Sequence, residues 1–222
     1  MSDNNINRQQ LRGIQITIAA VIGFIAIVLF VFIQGLSRTP ILSKEEIKNN
    51  GAYLFEKARA LEDFSLIKGD NSPFTPADLQ GKWSLVFFGF TFCPDICPTT
   101  MAQLKQFYDK QEGSEFADDT QVILVSVDPG RDTPEKMQQY VKFFHSDFTG
   151  VTGEFLDIHR FATQLNIPFA KVPGGGENYM VDHSGNVAII NPAGHYVGFF
   201  RSPLNVTMMN KAYGSIRYWF ED

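Results

Sequence analysis

No position from 13 to 37 is charged, and residues 14–33 are an almost unbroken run of Ile, Val, Ala, Phe and Leu. At about 1.5 Å per residue such a run reaches about 30 Å, the hydrocarbon thickness of a bilayer. The pattern predicts one transmembrane helix over 13–36, after a short tail over 1–12. A cleaved signal peptide fits less well. Its apolar region is usually about 7–15 residues long and precedes a small-x-small cleavage site, which is not found here. Polarity then rises, and 43–60 reads as a short helix or part of a stalk, so 37–60 is expected to be a stalk or linker.

Within 61–222, expected to be the folded domain, two short edge strands flank the turn signal Gly69-Asp70-Asn71-Ser72-Pro73. Residues 83–90 and 121–127 are apolar runs of strand length, fit for strands covered on both faces. Residues 99–108 carry Met101, Leu104, Phe107 and Tyr108 at helical spacing. Thr133 and Pro134 mark a helix start as cap and first residue, with Met137, Tyr140, Val141 and Phe144 on one face. A further helix over 154–165 turns Phe155, Ile158, Phe161, Ala162 and Leu165 inward and ends at Pro168. Strands follow at 177–181, 187–190 and 196–200, and a helix at 204–219 closes the chain.

That order is β-α-β-α, an extra helix, then β-β-α. Early strands separated by helices imply parallel crossovers, and the last two strands imply a hairpin. The fold expected is α/β and thioredoxin-like, with an N-terminal transmembrane helix. In that fold the reactive cysteines follow the first core strand and open the first core helix.

Charge and composition narrow the choices little further. The 222 residues carry a net charge of −5, which argues against a nucleic-acid partner, because phosphate binding needs a basic face. Basic residues lie on both sides of the apolar span, Arg8 and Arg12 before it and Arg38, Lys44 and Lys48 after it, so charge alone does not orient the helix.

The chemistry concentrates in two cysteines, the only ones present: Phe92-Cys93-Pro94-Asp95-Ile96-Cys97-Pro98. With Pro98 as first helical residue, Cys97 would be the helix cap and its thiolate would be favoured by the helix dipole. Cys93 would lie in the preceding loop, near enough for a disulfide or a shared metal ion. A trigonal copper site needs a third ligand, and imidazole is the usual one. His145 and His159 lie on helices and read as packing or surface residues, and His195 begins a strand. His183 stands just before the strand 187–190, where a thioredoxin-like fold faces its cysteines. It is the expected ligand, against a turn residue bonded to Ser184 or Asp182.

Gly89-Phe90-Thr91-Phe92-Cys93-Pro94-Asp95-Ile96-Cys97-Pro98 resembles the signature of the Sco/SenC family of copper chaperones for cytochrome c oxidase. Ser126-Val127-Asp128-Pro129-Gly130-Arg131-Asp132-Thr133-Pro134 and Val181-Asp182-His183 resemble that family's second and third motifs. The resemblance implies that Cys93, Cys97 and His183 bind Cu(I) or Cu(II), with Asp128 in a supporting role. The family often has His at the position of Phe92, and that extra donor is missing here. The resemblance also implies delivery of copper to the dinuclear site of oxidase subunit II, contact with other copper chaperones, and a membrane-anchored domain on the periplasmic side.

Two other functions compete. In one, Cys93 and Cys97 act as a thiol-disulfide oxidoreductase that reduces the client's cysteines before metallation. In the other the chain is a thiol peroxidase, but the Pro-x-x-x-Thr-x-x-Cys arrangement of those enzymes is missing. Zinc is a weaker choice than copper, because three ligands lack the fourth of a structural zinc site.

Overall fold

One helix, α1 (Asn4–Leu36), contains the uncharged stretch as far as Leu36, and its Leu11–Phe32 portion is long and apolar enough to cross a membrane. The computed structural model describes residues 4–36, 40–111, 113–114, 116, 118–174 and 176–220. The chain divides into two units, Met1–Pro40 and Ile41–Asp222.

The second unit begins earlier than the sequence pattern implies. Ser43 caps α2 (Lys44–Asn49) in a reciprocal box: its hydroxyl accepts from the Glu46 N–H, and the Glu46 carboxylate accepts from the Ser43 N–H at 2.8 Å. Gly51, at φ +85°, turns the chain into β1 (Ala52–Ala60). β1 pairs with the last strand of the sheet, so residues 43–60 are not a stalk. The misreading has a physical cause. An edge strand leaves one face to water, and the exposed Glu56, Lys57 and Arg59 hide its apolar positions.

β2 (Leu66–Lys68) and β3 (Pro73–Phe74) form the expected edge hairpin. β4 (Trp83–Gly89) follows, buried at every residue, and then α3 (Ile96–Asp109). β5 (Thr120–Ser126) leads to α4 (Pro134–Phe144), capped by Thr133 as expected. β6 (Thr149–Thr152), α5 (Phe155–Gln164), β7 (Phe169–Lys171) and β8 (Val181–His183) come next. β9 (Val187–Ile190), β10 (His195–Phe200) and α6 (Val206–Trp219) complete the chain. The main sheet runs β1-β10-β9-β4-β5-β6-β2-β3, while β7 and β8 pair separately. Within the main sheet β4, β5 and β6 are parallel and the other pairings are antiparallel.

Several expectations need correction. β6 has no counterpart in the apolar pattern, because only Val151 among its four residues is large and apolar. Its Gly150 lets α4 approach: a Cβ there would lie 2.6 Å from the Met137 carbonyl. The strand expected at 177–181 is instead one turn of 3-10 helix at Gly176–Asn178 followed by β8. Phe155 is 53% exposed rather than inward, since it precedes the buried stripe of Ile158, Phe161 and Ala162 by one turn at the helix end.

β4 is the rigid element on which the site is built. Phe87, Phe88 and Phe90 are fully buried, as are Phe107, Phe161 and Phe200 around them. Truncating one such ring to alanine costs about 3–5 kcal/mol, so the end of β4 has little freedom to move.

Candidate metal centre

The chain leaves β4 by a tight turn in which the Cys93 N–H donates to the Phe90 carbonyl at 3.2 Å. Asp95 occupies the cap position of α3, two residues earlier than the sequence implied, so Cys97 lies inside the first helical turn rather than at its cap. The consequence is chemical. The first N–H groups of a helix have no intrahelical acceptor. The Cys97 N–H points at Cys93 Sγ, 3.4 Å away, so the loop sulfur rather than the helical one receives the stabilisation. Gly89 makes room for Cys97. A Cβ at Gly89 would lie 2.9 Å from Cys97 Sγ and 3.1 Å from the Phe87 ring.

His183 reaches the same place from β8, paired opposite Phe169 of β7. Its ring meets Phe87 and Phe90 at centroid distances of 6.0 and 5.8 Å, both edge-on. Nδ1 lies 3.1 Å from the Ser184 carbonyl, which can only accept, so Nδ1 carries a proton. Nε2 is then the atom offered to the sulfurs, 3.5 Å from Cys97 Sγ, and in the neutral ring it holds the lone pair a metal requires. The ligand atoms of Cys93, Cys97 and His183 all lie within 4.8 Å of one another. Among the described residues this is the group that could hold a metal ion. Both cysteines are free thiols, Cys97 fully buried and Cys93 7% exposed, while His183 is half-buried.

The two sulfurs share one proton unequally. The Cys97 thiol donates to Cys93, and with help from the His183 side chain and the backbone N–H groups of Asp95 and Cys97 this outweighs burial and holds the Cys93 thiol down at about 4. The same hydrogen bond, seen from the donor, pushes Cys97 well above the usual thiol range, and burial adds to the rise. The expectation that Cys97 would be the readily formed thiolate is therefore reversed. The donor set is two soft sulfurs and one imidazole nitrogen, which suits copper in either common oxidation state.

Asp128 is buried but does not face the sulfurs. It accepts from the Arg131 guanidinium and from the Tyr179 hydroxyl, while Arg131 Nη2 donates to the Tyr179 carbonyl at 2.8 Å. It thus ties the loop after β5 to the segment that leads into β8. The carboxylate placed behind the cysteine loop is Asp132, which accepts from Ser126 Oγ at 2.7 Å and from the Thr91 hydroxyl and N–H. Burial pushes the Asp132 carboxyl up, against the pull of those donors. Sequence reasoning placed Gly89, Arg131 and Asp132 only within the motifs, without a role, and missed Tyr179 as part of the site. The Ser126–Pro134 motif contained Asp132 and Arg131, but spacing does not say which of two nearby aspartates turns inward.

The remaining histidines lie elsewhere. His145 packs on Tyr108 and Phe148, and His159 on Phe155 and Phe169. His195 opens β10, its N–H donating to the Asn191 side chain at 2.9 Å. Phe92 is 53% exposed, with the Arg131 guanidinium 4.8 Å and the Lys136 ammonium 5.9 Å from its ring centroid.

Known proteins with this arrangement are easily recognised. The copper-bound crystal structure of ScoI from Arabidopsis thaliana superposes with a TM-score of 0.65 at 33% identity, covering 72% of this chain and 98% of that one. Copper-bound yeast Sco1 gives a TM-score of 0.62 at 27% identity, over 73% and 87% of the two chains. Among curated relatives, the mitochondrial SCO1 homolog 1 of Arabidopsis thaliana is 35% identical over 161 residues, 70% of this chain and 48% of that longer protein. Residues 54–215 match the family model described as SCO1/SenC, and the chain belongs to the SCO1/SenC family.

Proposed function

We propose that this protein is a copper-binding chaperone. Cys93, Cys97 and His183 hold one copper ion, and the protein hands it to the dinuclear copper site of cytochrome c oxidase subunit II. The observation that carries the reading is the convergence of two cysteine sulfurs with a histidine whose Nδ1 is already committed to Ser184, leaving Nε2 for the metal. Copper-bound relatives of the same fold support the choice of ion. Cys93 and His183 are the ligands nearer solvent, which suits an ion that must be passed on by exchange of ligands rather than kept.

In this reading α1 is a retained anchor over 13–36, and the domain lies on the periplasmic side with its client. Confinement to the same membrane raises the effective concentration of the two partners. Other copper chaperones would supply the ion.

The experiment is copper stoichiometry with absorption spectroscopy on the full chain and its His183→Ala and Cys93→Ser variants. One copper per chain is expected, with thiolate-to-copper charge transfer for Cu(II). Loss of the His183 ligand should weaken binding by more than about 100-fold, beyond the usual effect of an outer partner. Unchanged affinity in His183→Ala would remove that residue from the site.

The acidic Cys93 thiol supports a second reading, reduction of the client's cysteines. The Cys93 thiolate attacks a client disulfide, Cys97 displaces the client thiolate, and the client gains two electrons while Cys93 and Cys97 become a disulfide. An external dithiol, itself oxidised to a disulfide, then restores the two thiols. A His183→Ala protein that still supports oxidase assembly favours this role over copper delivery.

A further inference from the structure

The folded unit carries an apolar surface that the metal centre does not use. Ile41 is 50% exposed, Tyr218 58% and Trp219 44%, and the two rings meet edge-on at 6.2 Å. The Trp219 indole N–H already donates to the Leu42 carbonyl at 2.9 Å, so the part of the ring left outward is largely hydrocarbon. The Lys44 ammonium lies 5.8 Å from the Trp219 ring and 5.7 Å from that of Phe220. Leu42 is tied to α6 by its own N–H, which donates to Ser215 Oγ at 2.8 Å. These contacts hold Lys44, Tyr218 and Trp219 together, and exposed Ile41 adjoins Leu42 in the chain.

Trp and Tyr with a lysine beside them are the side chains that favour the boundary between hydrocarbon and water, where ring and alkyl stem lie in apolar surroundings and the polar ends stay wet. Connectivity says which boundary is in reach. Ile41 follows Phe32, the end of the apolar span, by nine positions. The four helical residues and four others between them extend to no more than about 25 Å.

We infer that Ile41, Lys44, Tyr218 and Trp219 form a docking face for the interfacial layer of a lipid bilayer. This rests on the reading of α1 as a retained anchor. A docked domain no longer tumbles on its tether, so the face bearing the metal centre meets a membrane-bound client in a restricted set of orientations.

The full chain has two tryptophans, and Trp83 is 1% exposed, so Trp219 can be read by difference. The full chain and its Trp219→Phe variant are reconstituted in phosphatidylcholine vesicles with and without acyl chains brominated near the headgroup. The Trp219 emission is expected to fall about twofold or more with brominated lipid, as for rings at the interfacial depth. Ile41→Glu, which leaves the indole in place, is expected to relieve much of that quenching. Extraction with alkaline carbonate separates the two readings. Protein retained in the vesicles with Trp219 unquenched overturns the docking face and leaves the anchor standing. Protein that washes off overturns both.

Discussion

The Tyr179 hydroxyl donates to Asp128 across 51 positions of sequence, joining the segment that leads to His183 to the loop that leaves β5. Arg131 reinforces the junction. Its guanidinium bonds both Asp128 and the Tyr179 carbonyl, and stacks 3.8 Å from the Tyr179 ring centroid. If Cys93, Cys97 and His183 hold copper, Asp128 acts on that site by holding the third ligand's segment in place. Tyr179→Phe removes this one bond and keeps the ring. Copper affinity is expected to fall about 10-fold, the lower end of outer-partner effects, with little change in Tm. Competition against a Cu(I) chelator measures it, and equal affinity would show that the bond does not position His183.

Alkylation of the metal-free protein should follow a single acidic thiol. With Cys93 held at about 4 and Cys97 pushed up, iodoacetamide is expected to modify Cys93 at pH 6 and to leave Cys97 untouched. Cys97→Ala should shift the profile of Cys93 upward, because it removes the donating thiol. A profile centred near the free-thiol value of about 8.5 contradicts the arrangement.

Stability should follow the same protons. Between about 4 and about 8.5 the unfolded chain keeps the Cys93 proton that the folded chain has lost, so stability of the metal-free protein rises with pH there and is lost as pH falls toward 4. Above about 8.5 the raised Cys97 reverses the trend, since only the unfolded chain releases that proton. Denaturation midpoints for the metal-free protein, compared with a Cys93→Ser Cys97→Ser double variant, isolate this contribution. Identical pH profiles would count against it.

Gly89→Ala tests how tightly the sulfurs are packed. The added methyl would stand 2.9 Å from Cys97 Sγ and 3.3 Å from Leu124 Cδ1, so the sulfur or the strand must give way. A stability loss of about 1–3 kcal/mol is expected, as for overpacking in a dense core. Copper binding should weaken with it, and urea melts beside chelator titrations separate the two. An unaffected copper site would mean that Cys97 has room to spare.

Asp132→Ala removes the acceptor for Ser126 Oγ and for both donors of Thr91. Buried donors left without partners cost about 1–3 kcal/mol each, and a total loss of about 3 kcal/mol is expected after relaxation. Chemical denaturation checks it, and a loss below about 0.5 kcal/mol would mean that water replaces the carboxylate.

Much of this protein can be read from its residues in order. The apolar runs announce β4, β5 and β9, because a strand covered on both faces must be apolar throughout, and the longest run coincides with α1. Cys93, Cys97 and His183 stand out as residue types, since soft and imidazole donors are scarce in this chain. β1 and β6 were hidden for opposite reasons. The first is charged because it is an edge, and the second is nearly without large side chains because α4 lies against Gly150.

The order of residues thus determined the fold class and the three candidate ligands, because both depend on local pattern and chemical type. Only tertiary structure decided which sulfur is acidic, since that turns on one hydrogen bond and on where α3 begins. It also decided that Asp128 grips Tyr179 while Asp132 backs the cysteine loop, four positions apart in the chain yet facing different partners. Such choices come from contacts between segments distant in sequence, and no local spacing encodes them.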